Sequence, residues 1–155
     1  MAKGRAIKGL AILAILVTVF GCAPKKIQIY QHAPAPEVRE HIVEYAVGFM
    51  GRPYRNGAKG PDSFDCSGFV YYVFRRFDIA VPISTDGLNR IGYEISRSDV
   101  IVGDLVVFRI KGEHHVGIMM NRTEFIHASK SRGVTIDSID AIYWRRNFYH
   151  FRRVF

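Results

Sequence analysis

Near residue 100 the hydrophobic period of this chain changes, and few architectures accept the order in which it does so. Before that point apolar residues recur at helical spacing. Val38, Ile42, Tyr45, Ala46 and Phe49 fall on one helix face, with Pro36 placed to start the helix and Gly51 and Pro53 to end it. A loop rich in Gly, Pro, Asn and Asp follows over residues 52–64. A second helix is predicted from Asp65, its N-cap, with Cys66, Phe69, Val70, Val73, Phe74 and Phe77 on one face. Ser84-Thr85-Asp86 can cap a short third helix through Leu88 and Ile91. Afterwards the pattern turns to short β-rich runs separated by turn residues, at 104–110, 114–120, 123–128, 133–136 and 148–154. Helices first and strands afterwards predict an α+β domain, its N-terminal helices packed on an antiparallel sheet of five to six strands. A chain of 155 residues accommodates one such domain and not two.

The first 35 residues stand outside that pattern. Lys3, Arg5 and Lys8 precede the apolar run LAILAILVTVF at residues 10–20, and Gly21-Cys22 follow. A basic start, a short apolar stretch and a small residue before the break describe an export signal. The run is too short for the ~20 residues that span a bilayer. Val19-Phe20-Gly21-Cys22 resembles the bacterial lipobox, which implies removal of residues 1–21 and acylation of Cys22, palmitate included. Two or more acyl chains make a durable anchor. Ala23 after the cysteine, by resemblance to Gram-negative lipoproteins, favours the periplasmic face of the outer membrane in such a cell. Residues 22–35, with Ala33-Pro34-Ala35 near their end, read as an extended tether, and residues 36–155 as the folded domain.

Acylation of Cys22 leaves Cys66 as the one other cysteine, too few for a disulfide framework or a zinc ribbon. Its place in the first turn of a helix favours a thiolate, through the unpaired N–H groups and the helix dipole. A nucleophilic thiol needs a base, and the base needs a group to orient it. His114, His115, His127 and His150, all in the strand region, are the candidates. A cysteine on a helix start followed by histidines on successive strands is compatible with a papain-like arrangement.

Asp65-Cys66-Ser67-Gly68-Phe69-Val70 resembles the nucleophile motif of the NlpC family of cell-wall cysteine peptidases. The likeness runs in order across residues 37–155. Gly51-Arg52-Pro53-Tyr54 is similar to the family's G-x-P-Y, Gly103-Asp104-Leu105-Val106 to its G-D-L-V strand, and His115-Val116-Gly117-Ile118 to its H-V-G-I strand. Phe125-Ile126-His127-Ala128-Ser129 resembles the strand bearing the third polar residue, and Tyr143-Trp144 with Arg152-Arg153-Val154 the closing strand. The resemblance implies Cys66 as nucleophile, His115 as general base and then acid, His127 as its orienter, and Tyr54 as a hydroxyl near the oxyanion. An adjacent imidazolium would lower the thiol pKa further. Two stretches depart from the family. Arg55-Asn56-Gly57-Ala58 replaces the usual Trp-Gly-Gly, and Ile83 replaces an arginine near the third helix.

The resemblance further implies hydrolysis of peptide bonds in peptidoglycan stem peptides, typically between D-glutamate and a diamino acid, by a monomer that needs no cofactor or metal. The formal net charge of +8 suits carboxylate-bearing wall polymers. No binding motif points to nucleic acid, and Arg145-Arg146 and Arg152-Arg153 read as solvated charge. Two other classes fit the sequence less well. A zinc hydrolase built on Glu113, His114, His115 and His127 lacks the H-E-x-x-H spacing. A non-catalytic wall-binding lipoprotein of the same fold would leave the cysteine–histidine set idle.

Overall fold

A computed structural model describes residues 36–155 of the chain. The expectations for the signal segment, for Cys22 and for the tether lie outside the described residues. The described chain runs α1 (Pro36–Val47), α2 (Cys66–Arg75), α3 (Thr85–Leu88), β1 (Tyr93–Ile95), a 3-10 turn (Arg97–Asp99), β2 (Leu105–Ile110), β3 (Glu113–Met119), β4 (Glu124–Ser129), β5 (Gly133–Ser138), α4 (Ile142–Asn147) and β6 (Phe148–Arg153). One six-stranded sheet has the order β1-β6-β2-β3-β4-β5, and every neighbouring pair is antiparallel. The α+β order expected from the change of period is therefore present. Among the described residues no helix is long and apolar enough to cross a membrane.

The period of two along the strands sorts the core into two layers. Leu105, Val107, Val116, Ile118, Ile126 and Ala128 face α1 and α2, meeting Ile42, Ala46, Phe69, Val70, Val73 and Phe74. Their neighbours Val106, Phe108, Met119 and Phe125 face the other way, onto Trp144 of α4 and Phe151. β2 is thus buried on both faces, which explains its unbroken apolar run Leu-Val-Val-Phe. Each fully buried Val or Phe side chain contributes roughly 1.5–3 kcal/mol relative to exposure. α2 carries four of them and is the helix pinned most firmly to the sheet.

Three readings of the sequence need correction. β1 was not anticipated: it has only three residues, lies at a sheet edge and sits among turn residues. Tyr143 and Trp144 lie not on the closing strand but on the short helix α4, which precedes it. Arg152 and Arg153 are not solvated charge. Arg153 reaches the fully buried Asp104 with Nε at 2.9 Å and an η-nitrogen at 2.7 Å, while Arg39 of α1 approaches the same carboxylate at 3.2 Å. Arg152 donates to the carbonyls of Arg90, Ile91 and Gly92. Arg153 thus pairs its charge with Asp104, while the half-buried Arg152 spends its donors on backbone carbonyls.

Candidate active site

α2 begins where it does because Asp65 caps it. One carboxylate oxygen accepts from the Gly68 N–H at 2.6 Å and from the Ser67 hydroxyl at 3.2 Å, and the other accepts from the Gly57 N–H at 2.9 Å. The same residue therefore fixes both the helix start and the loop over residues 51–64. The Asp65 N–H in turn donates to the Ala58 carbonyl. A Cβ at position 68 would overlap that carbonyl oxygen, so only glycine lets the loop lie this close to the first helical turn. Tyr54, bridged to Phe64 within this loop, lines the cleft beside Cys66.

β3 and β4 supply the two histidines. The strands pair only at Ile118↔Ile126 and Met119↔Phe125. Beyond those pairs they part, and α2 packs against both. The backbone N–H groups of Val116, next to His115, and of Ser67 lie toward the Cys66 sulfur. His115 Nε2 lies 2.8 Å from His127 Nδ1, with the rings nearly perpendicular. Gly117 makes that approach possible, since a Cβ there would press on the Phe125 ring, the Ile126 carbonyl and the His127 Cβ. Trp144 closes the site from α4, stacking on His115 at 5.5 Å between centroids and meeting His127 edge-on at 4.9 Å.

The chain of contacts does not stop at His127. Its Nε2 lies 3.0 Å from an Asp137 carboxylate oxygen on β5, and an Arg132 η-nitrogen donates to that same oxygen. Asp137, Arg132 and Trp144 were missed in the sequence. The predicted strand ended at Ile136, one residue short, although alternation along β5 puts Asp137 on the same face as Thr135, the partner of His127. The other two histidines are engaged elsewhere, although His114 also lines the cleft. His114 Nδ1 pairs with Asp86 at 2.9 Å and its ring stacks on Tyr149, while His150 pairs with Glu94 on the far side of β6.

Burial governs the electrostatics. It pulls His115 down to about 3, with His127 and Lys130 adding to the effect and Asp137 opposing it. It lowers His127 as well, against the pull of Asp137. Burial also pushes the Cys66 thiol up, and the Asp65 carboxylate beside it pushes in the same direction. Backbone N–H groups near the sulfur work against that rise. Burial and Asp65 therefore oppose the thiolate that the helix start and an adjacent imidazolium favour. The Tyr54 hydroxyl is pushed up to about 12, first by burial and then by Cys66, Asp65 and Glu113, so it remains a donor. These groups open onto a cleft of about 970 Å³ whose walls carry both signs of charge: Asp65, Asp86 and Glu113 against Lys111, Lys130 and Arg132.

The family model described as NlpC/P60 matches residues 51–153, the stretch that holds all of these groups. The chain is 36% identical over 155 residues to the Escherichia coli K12 protein named "Probable endopeptidase NlpC", covering 92% of this chain and 97% of that one. It is 38% identical over 120 residues to the Escherichia coli K12 "Murein DD-endopeptidase MepS/Murein LD-carboxypeptidase", covering 76% of this chain and 64% of the relative. The fold superposes with a TM-score of 0.71 on a Staphylococcus aureus protein described as similar to a lipoprotein of the NLP/P60 family, at 29% identity and over 77% of this chain and 42% of that one. With that match spanning the capped helix, the histidine strands and the closing strand, the chain belongs to the NlpC/P60 family of cysteine peptidases.

Proposed function

We propose that the chain is an endopeptidase of peptidoglycan stem peptides, with Cys66 as nucleophile, His115 as base and then acid, and His127 as the group that orients His115. The observation that carries this reading is the meeting of a capped helix start bearing Cys66 with the His115–His127 pair in one open cleft. His115 Nε2 is engaged by His127, so Nδ1 is the nitrogen left to take the thiol proton. The sulfur then attacks the scissile carbonyl. The Cys66 backbone N–H and the Tyr54 hydroxyl stabilise the oxyanion that forms. His115 returns the proton to the leaving amine, giving a thioester, and then activates the water that hydrolyses it.

A lining of both signs suits a substrate that carries both, and a stem peptide with free carboxylates and a diamino acid is such a substrate. The bond between D-glutamate and the diamino acid is our first assignment, from the motif set. The relative named as a murein DD-endopeptidase supports a second, a D,D bond in the crosslink. Digestion of purified sacculi followed by mass spectrometry of the released fragments separates the two by the new termini. Intact sacculi after prolonged incubation with folded protein would overturn both. We further propose that acylated Cys22 holds the domain to a membrane of the cell envelope, within tether length of the wall.

A further inference from the structure

We propose that Asp137 is a positioning residue that sets the direction of the proton chain Asp137–His127–His115, so that His115 presents its unprotonated Nδ1 to Cys66. This rests on the assignment of His115 as the base made above, and it adds a fourth member to that machinery. Donors and acceptors at two contacts fix that direction. An ionised carboxylate can only accept, so at the 3.0 Å contact His127 Nε2 must carry the hydrogen. A neutral imidazole has one N–H, which leaves His127 Nδ1 with a lone pair. At 2.8 Å from it, His115 Nε2 must then be the donor, and the lone pair of His115 falls on Nδ1. Reversing either contact would put the His115 proton on Nδ1 and remove the base.

Asp137 is held in the acceptor state from its outer side. The Arg132 guanidinium, which can only donate, shares the carboxylate oxygen that His127 uses, leaving no room for a proton there. Burial alone would raise the Asp137 carboxyl, but the hydrogen bonds from Arg132 and His127 outweigh it and hold the group below the usual carboxylate range. The inner end is sheltered: His127 is fully buried and Trp144 covers both rings, so solvent does not compete for the ring nitrogens from that side.

The test uses the full chain, solubilised in detergent and labelled with nitrogen-15, whose histidine ring shifts report which nitrogen is protonated. Wild type should show His115 and His127 both protonated on Nε2. A proton on His115 Nδ1 would overturn the proposal without any variant. Asp137→Ala should mix the His115 tautomers and cut kcat on sacculi by about tenfold or more, with KM little changed. Asp137→Asn should recover most of that loss, because Arg132 must face the amide oxygen, and that same oxygen then faces His127. An Asp137→Ala protein with wild-type kcat and tautomer sinks the proposal. So does an Asp137→Asn protein no better than Asp137→Ala, since charge rather than acceptor geometry would then be at work. If wild type itself leaves sacculi intact, the proposed reaction fails, while the ring-nitrogen spectrum still decides the direction of the chain.

Discussion

Two histidines 2.8 Å apart share a contact but not a task. His115 has to move a proton, so Ala and Gln in its place should be equally inactive, each losing about 10²–10⁴ in kcat. His127 has to accept from His115 on one side and donate to Asp137 on the other. A glutamine amide does both, oxygen toward His115 and nitrogen toward Asp137. His127→Gln should therefore retain far more activity than His127→Ala on the same sacculi, and wild-type rates in His127→Ala would remove its role. The burial of the thiol and the imidazole has its own consequences. Iodoacetamide labelling of Cys66 should be slow at pH 6–7 and climb as pH rises, because burial and Asp65 hold the thiol up. Rapid labelling at pH 6 would restore the thiolate. For stability the sign runs the other way along the pH scale. His115 stays neutral in the fold down to about 3, whereas the unfolded chain takes up that proton near 6.5. Native stability should therefore fall as pH drops from about 6.5 toward 3, and His115→Gln should flatten part of that slope in urea melts.

At the scale of elements, the divergence of β3 from β4 is what makes a site out of two strands and a helix. Gly117 sits at the root of that divergence. Gly117→Ala forces a methyl against Phe125 and the β4 backbone, an overpacking that costs about 1–3 kcal/mol. It should also widen the His115–His127 contact, so kcat per folded molecule should fall as well as the urea midpoint. A loss of midpoint with full kcat would show that the strands relax without moving the rings. The same elements show what a sequence can carry. α2 was legible because its cap, its apolar face and its nucleophile motif all fall within about a dozen residues of Asp65. β2 to β5 were legible because turn residues bracket short apolar runs. β1 and α4 were not. A three-residue edge strand has no period to detect, and α4 is held by the packing of Trp144 on His115, Phe108 and Phe125 rather than by helical propensity. Asp137 was hidden for a related reason. Nothing local marks an aspartate as a partner of a histidine ten residues earlier until the β4–β5 register is fixed.

At the scale of the whole molecule, the two ends of the described chain are tied together away from the cleft. Arg39 of α1 donates to the Val102 carbonyl, to Asp104 and to the carbonyl of Phe155, and its guanidinium lies 4.2 Å from the centre of the Phe155 ring. Asp104, fully buried at the mouth of β2, also accepts from Arg153 of β6 and from the Ile101 N–H. Among the described residues a core and this clasp are already formed, and the expected outcome is that anchoring is separable from folding. Cys22→Ser should abolish labelling by a palmitate analogue in cells yet leave the urea midpoint of the domain unchanged. Labelling that persists would remove the lipidation site. The clasp itself is a sharper test of how the parts are joined. Asp104→Ala leaves the buried Arg39 charge without its carboxylate, a change that costs about 3–5 kcal/mol and is a large share of the ~5–15 kcal/mol of a typical domain. Arg153→Ala should cost less, because Arg39 still answers Asp104 and the Arg153 side chain is 18% exposed. Replacing both buried partners, as in Arg39→Met with Asp104→Leu, should recover part of the single-variant loss, since no unpaired charge remains. Equal urea midpoints for Asp104→Ala and Arg153→Ala would mean that β6 rather than α1 bears the clasp, and that α1 is held by its apolar contacts, Ile42 and Ala46 with Val38, Val43 and Tyr45.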